Sequence, residues 1–301
     1  MTASMRIALT RAVPRSLEHC ELTHLARRPI DVALAARQHA AYEDALRAAG
    51  CTVVRIPPEP DRPDSVFVED TAVVLDEVAV ITRPGAPSRR GETRSTAAAL
   101  GAYRRLVTIE EPGTLDGGDV LVAGKTVFVG VGARSNADGI RQLARHLSPL
   151  GYDVRGIEVA GCLHLKSAAT LVSTSSVLVN PSFVDPRVFE PLEAVPVAPE
   201  EPSAANALLV GGQVLYSPAY PRTLGILQHR GARVVAVDLG ELAKAEGALT
   251  CCSLVFDGQP GSRLRAHGLR LTAHGLRLTA HGSRLTAHGS RLRTQNSELK
   301  T

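Results

Sequence analysis

Tryptophan is missing from this chain of 301 residues, and aromatic residues together make up only 3% of it. Proteins that hold single-stranded nucleic acid stack bases on aromatic faces, so that mode of binding has little to build on. Long apolar runs are also missing. None approaches the roughly 18 residues that cross a bilayer, so no membrane span is expected. Met1 to Thr10 lacks the basic start and long apolar stretch of a secretory leader, and none is expected. Cysteine is scarce and odd in number, with five residues. That argues against a disulfide framework and for the reducing cytoplasm.

The formal net charge of +4 misleads. Residues 259–301 hold eight Lys or Arg and one Glu, a net +7, which leaves −3 on residues 1–258. The body carries no basic stripe, so nucleic acid is not an expected partner. The excess sits in a tail where a heptad recurs, as in Leu271-Thr272-Ala273-His274-Gly275-Leu276-Arg277. A Gly in each repeat costs about 1 kcal/mol of helix stability. With Leu at one position of every heptad and a second in only some, the 3-4 spacing of a coiled-coil seam is absent. The reading is a catalytic body over residues 1–258 and a disordered, low-complexity extension over 259–301.

The chain is 44% hydrophobic, enough for a sizeable core. Its apolar runs come in pairs. Thr71–Leu75 and Val78–Thr82 flank Asp76-Glu77, and Val120–Ala123 and Thr126–Val131 flank Gly124-Lys125. Each pair reads as a hairpin. A capped helix follows. Asp31, Asn136 and Asp185 stand ahead of apolar residues at helical spacing. A Gly and a β-branched strand then close the phrase, as in Gly50-Cys51-Thr52-Val53-Val54. Hairpin, helix and return strand make an α/β unit of roughly 40–55 residues, a repeat length. Five such units are predicted, starting at the N-terminus and near residues 66, 115, 163 and 206. No unit can bury its own faces, so a closed ring around a central crevice is expected.

Chemistry-bearing residues stand at the edges of these runs. Cys251 and Cys252 lie at a predicted strand entry, where alternation would turn one thiol inward and one toward the crevice. On the doublet alone, two packing cysteines are the commoner outcome. His164 lies between Leu163 and Leu165 and is expected on the opposite face. A lone His is usually structural. Asp116 and Asp119 flank Gly117-Gly118, a pair that suits an ordinary turn as well as a carboxylate beside a ligand. Glu69-Asp70, with Asp64 nearby, would be costly at the edge of a buried strand unless they meet a cation. A guanidinium fits: it is planar and offers five donors. Arg83, Arg89, Arg90 and Arg134 could hold an anion. Acids at one end and arginines at the other describe a site for an arginine-like amino acid.

Five strings taken together carry a resemblance. They are Asp64-Ser-Val-Phe-Val-Glu-Asp70, the Ile81 to Arg90 run, Thr114-Leu-Asp-Gly-Gly-Asp-Val120, Leu163-His-Leu-Lys-Ser167 and Leu249-Thr-Cys-Cys-Ser253. In order and spacing they resemble the dimethylarginine dimethylaminohydrolase family of the amidinotransferase and arginine deiminase superfamily, over about residues 6–257. The resemblance implies a five-bladed α/β propeller, the pentein fold of ββαβ units. It implies Cys251 as nucleophile, His164 as acid and base, and Asp116 as its orienting carboxylate. It further implies Asp64, Glu69 and Asp70 around the guanidinium, and Arg89 and Arg134 on the substrate carboxylate. Ala245 would contribute to the pocket. The backbone of Leu22, in a lid around residues 18–29, would meet the α-amino group.

The implied reaction is hydrolysis of a methylated arginine to citrulline and an amine through a covalent thiouronium. It needs no metal or organic cofactor, although the thiol and His164 could take up zinc adventitiously. Arginine deiminase and amidinotransferase activities remain as alternatives on the same residues. A ribosome-binding factor shares the ring fold but has no catalytic residues. Sequence leaves monomer and homodimer equally open. For the tail the expectation is definite. Removing residues 259–301 leaves catalysis and thermal midpoint nearly unchanged, because one or two Leu per repeat bury too little surface to offset ordering entropy. A truncated chain that unfolds, or changes its oligomeric state in sedimentation, would show that the tail packs on the body.

Overall fold

The paired apolar runs form hairpins because each is short, β-rich and parted by residues that turn easily. In this computed structural model residues 5–258 are described, and the repeats expected at 259–301 lie outside them. Within the described residues the strands form five three-stranded sheets. Each has the same plan. In the second, Ala72–Val74 runs antiparallel to Val78–Ile81, which runs parallel to Arg105–Thr108. The third repeats it with Val120–Ala123, Thr126–Val131 and Asp153–Glu158. Parallel neighbours need a crossover. The helices Thr93–Leu100 and Ala137–Leu147 supply it in these two units.

The helix caps behave as their sequence suggests. Asp31 accepts the Leu34 N–H at the head of Val32–Ala48, and Asn136 accepts the Gly139 N–H at the head of Ala137–Leu147. The fourth unit differs from expectation. Asp185 caps only a single 3-10 turn, Pro186–Phe189, because the return strand Glu193–Pro196 follows too closely for an α-helix.

The first sheet closes the ring. Leu254–Gly258 pairs antiparallel with Met5–Thr10, so strands from the two ends of the described chain complete one unit. The leading strands of the hairpins meet each other: Leu254–Gly258 lies against Ala72–Val74, and Ala169–Leu171 lies against both Val120–Ala123 and Leu208–Val210. These five strands line a central channel of about 840 Å³. The fold is a five-bladed α/β propeller. Middle strands such as Val78–Ile81 and Gln213–Tyr216 are buried along their whole length between helix and channel sides. All five cysteines are free thiols. No helix among the described residues is long and apolar enough to cross a membrane.

One local detail positions the site. Each of three leading strands is entered through a short helical turn: Val68–Thr71, Gly117–Asp119 and Leu165–Ala168. A fourth turn, Thr250–Cys252, precedes the closing strand. The chemistry-bearing residues sit on or beside these turns, at the same end of adjacent leading strands.

Candidate active site

One sequence expectation needs correction at once. His164 is not within a strand: it is the extended residue ahead of the one-turn helix Leu165–Ala168. The cysteine doublet stands at a strand entry as expected, on a 3-10 turn ahead of Leu254–Gly258. The turn still separates the two thiols. Cys252 is fully buried in the core, while Cys251 is partly exposed and lines a small cavity.

That cavity is also lined by Asp64, Asp70, Arg89, Arg134, His164 and Ala245, with Phe67, Leu163, Glu21 and Glu246 completing its wall. Asp116 is fully buried and bonded to the cavity wall: its Oδ2 lies 3.0 Å from His164 Nε2. Its Oδ1 accepts the Gly85 N–H at 2.8 Å. Asp70 Oδ1 lies 3.9 Å from the same imidazole nitrogen. Burial disfavours the imidazolium, but Asp70, Asp119 and Asp116 outweigh it and raise His164 to about 9. The ring is therefore a cation at neutral pH.

The glycines between Asp116 and Asp119 serve close approach rather than turning. A Cβ on Gly118 would lie 2.7 Å from His164 Nδ1 and 2.8 Å from Asp70 Oδ1, and one on Gly117 would overlap the Glu69 carbonyl. Gly118 also donates its N–H to Asp70 Oδ1 at 3.0 Å. Asp119, which the sequence reading left without a role, ties two segments together. It accepts the Leu165 N–H at 3.0 Å and the Ser135 hydroxyl at 2.6 Å. Ser135 Oγ in turn accepts the Asp116 N–H. Burial pushes the Asp119 carboxyl up to about 6, against the pull of His164.

Three expected ligand contacts are arranged differently. Glu69 faces the central channel rather than the cavity. It accepts hydrogen bonds from Lys166 Nζ at 2.6 Å and Thr250 Oγ1 at 2.7 Å. Arg89 was expected to hold an anion. Its guanidinium is already engaged by Asp70 and Glu92 and by the carbonyls of Asp64 and Phe67. Leu22 does not line the cavity; its side chain packs on the core. Arg134 is the less committed arginine, with Asp116 Oδ2 at 3.7 Å and Thr23 Oγ1 at 3.3 Å. Lys166, two positions from His164 in sequence, and Thr250, next to Cys251, could have been found from that proximity. Ser135 and Glu246 likewise adjoin the expected site residues Arg134 and Ala245.

Asp70, Asp116 and His164 bring three potential metal ligands within 4.8 Å of one another. The charges around them are already compensated. Arg89 and His164 hold the Asp70 carboxyl down at about 2 despite its burial. Arg134 stands beside Asp116. A divalent cation would have to displace these cations, so the donor set suits an organic cation better.

The Cys251 thiol is a poor acid here. Burial pushes it up to about 12, with Glu69 and Asp70 adding to the shift and Lys166 opposing it. The resting site is thus thiol and imidazolium. In the free protein, alkylation of Cys251 by iodoacetamide should keep rising with pH beyond 10. Asp70→Asn should speed it at pH 8 by removing one opposing charge. A plateau below pH 9 in the wild-type protein would contradict this charge balance.

Comparison with known proteins agrees with this geometry. A family model for arginine deiminase matches residues 59–206. The N(G),N(G)-dimethylarginine dimethylaminohydrolase of Streptomyces coelicolor is 43% identical over 253 residues, covering 83% of this chain and 96% of that protein. The enzyme of the same name from Pseudomonas aeruginosa is 36% identical over 75% of this chain and 90% of its own length. The solved structure of a cysteine-to-serine variant of the Pseudomonas enzyme, complexed with citrulline, superposes with a TM-score of 0.78 at 34% identity. It covers 84% of this chain and all of that one. A dimethylarginine dimethylaminohydrolase structure holding an adduct with S-methyl-L-thiocitrulline gives 0.77, also at 34% identity and over the same shares of the two chains. The chain belongs to the dimethylarginine dimethylaminohydrolase family of the arginine deiminase superfamily.

Proposed function

We propose that this protein hydrolyses N-omega-methylated arginines, monomethyl and asymmetric dimethyl, to citrulline and methylamine or dimethylamine. The observation that carries the reading is a cationic His164, paired with buried Asp116, on the same small cavity as the Cys251 thiol and Asp70. The family relatives and the citrulline complex support the substrate class.

The chemistry follows from the charges. A substrate guanidinium enters beside Asp70 and Asp64, whose carboxylates suit it. Its positive charge lowers the thiol pKa that burial, Glu69 and Asp70 have raised, and Cys251 releases its proton to solvent water. The thiolate attacks the guanidinium carbon and a C–S bond forms. His164 donates its proton to the methylated nitrogen, the C–N bond breaks and the amine leaves. The now neutral His164 takes a proton from water. The hydroxide adds to the same carbon, the C–S bond breaks, and citrulline and the thiolate are released. Asp116 holds the imidazole and stabilises its charge throughout. Arg134 is assigned to the substrate carboxylate. Arg89 is assigned to holding Asp70 in place as long as its present partners keep it. The five free thiols support a cytoplasmic setting. Arginine deiminase chemistry on unmethylated arginine uses the same steps, and no feature of this cavity favours it.

Citrulline and amine release should be assayed with each methylated arginine and with arginine. Cys251→Ser and His164→Gln should abolish turnover, whereas Cys252→Ser should keep most of it. Faster turnover of arginine than of either methylated form would overturn the substrate assignment. Activity surviving in His164→Gln would overturn the mechanism. Arg134→Ala should raise KM by roughly ten- to a hundredfold, since a hydrogen bond to a charged group is worth about 1.5–3 kcal/mol. An unchanged KM would remove Arg134 from the substrate carboxylate.

A further inference from the structure

The cavity measures about 20 Å³, room for about one water and far too little for an amino acid. Something over it must move for a ligand to enter. The covering segment runs from Glu18 to Pro29 and has no helix or strand beyond His19. It is stapled to itself by Arg27, which donates to the carbonyls of Glu18 and Cys20. At one end it is tied to the body where Asp64 Oδ2 accepts the Glu21 N–H at 3.2 Å and Ser88 donates to Glu21. Further along, Arg134 donates to Thr23 Oγ1 and Lys244 to the Pro29 carbonyl, and one carboxylate gathers three backbone amides. Glu246 accepts the N–H groups of Thr23 at 3.0 Å, His24 at 2.5 Å and Leu25 at 2.6 Å.

Three successive amides converging on one carboxylate make a charge-assisted cluster that no neutral side chain reproduces. The backbone at Glu246 is unusual as well. Among the described residues it is the one non-glycine with a positive φ, 58°. A residue with a Cβ adopts that conformation only where its surroundings enforce it. Glu246 also lines the cavity, next to Ala245 and five positions ahead of Cys251. It therefore touches both the covering segment and the site.

We propose that Glu246 is the latch of this segment, a positioning residue that holds residues 18–29 closed over bound substrate. Opening exposes one carboxylate and three amides to water, and closure restores their bonds. The effect on substrate rests on the reaction proposed above; the latch itself does not.

The test uses Glu246→Gly, whose backbone accepts the positive φ, and Glu246→Gln, which keeps the shape but not the charge. Amide hydrogen exchange is measured on the ligand-free protein. Exchange at Thr23, His24 and Leu25 should become about ten- to a hundredfold faster in Glu246→Gly, and by a smaller factor in Glu246→Gln. Protection in Met5–Thr10 and Leu254–Gly258 should stay as it is, which certifies the fold. Unchanged exchange at the three amides in both variants would overturn the latch, whatever the enzyme acts on. With the methylated arginine as substrate, KM should rise about tenfold while kcat changes far less, and Glu246→Gln should fall between the two. Faster exchange with an unchanged KM would overturn the positioning role. A wild-type protein that forms no citrulline would instead count against the proposed reaction and leave the exchange result standing.

Discussion

The structure around the site depends on one constraint: buried carboxylates must be matched by buried cations. Asp70, Asp116, Asp119 and Glu69 are all nearly or fully enclosed. Left unpaired, such groups would be costly enough to unfold the chain or take up protons. His164 lies among three of them, Arg89 bridges Asp70 to Glu92, and Lys166 answers Glu69. This pairing keeps an imidazolium where an acid is wanted. It also keeps the thiol protonated until a cationic ligand arrives. The same electrostatic balance thus serves stability in the empty site and chemistry in the occupied one.

Geometry supplies the second requirement. The propeller repeats one plan five times, so the entrances to its leading strands gather at one end of the channel. Short turns at those entrances carry Glu69 and Asp70, Asp119, and Cys251, while Asp116 and His164 stand immediately ahead of theirs. A turn points a side chain across the axis, where a strand would alternate it to one face. The glycines of the Gly117–Asp119 turn let the backbone carrying Asp116 and Asp119 approach the imidazole within contact. Hydrogen bonds through Ser135 and the Leu165 amide then lock neighbouring units in register. Lys166 and Glu69 line the channel and not the cavity beside Cys251.

Much of this was legible in the chain. Paired apolar runs, capping residues and glycine stops marked the units, and the starts near residues 66, 115, 163 and 206 fall at the observed sheets. The motif residues Cys251, His164, Asp116, Asp64 and Asp70 could be singled out through the five strings taken together, since taken singly the doublet, the His and the Asp-Gly-Gly-Asp turn are explained as well by packing. The local conformations were not legible. Apolar alternation around His164 and the cysteine doublet looks the same for a strand and for a tight turn entering one. The fourth helix was over-read for a related reason: a cap and Pro announce a start but say nothing of the room left before the next strand.

The sequence by itself determined the unit count, the family signature and the identities of the groups that carry charge into the core. It did so because these are properties of residue type and spacing along the chain. Only the tertiary structure decided which acid meets which cation. Arg89 turns from a free anion holder into the partner of Asp70 and Glu92, and Glu69 turns toward the channel and Lys166. Glu246 meets amides more than 200 positions away, and Asp116 meets His164 across 48. Pairings at such separations are set by where five blades bring their edges together. Nothing in the local sequence of either partner specifies that distance.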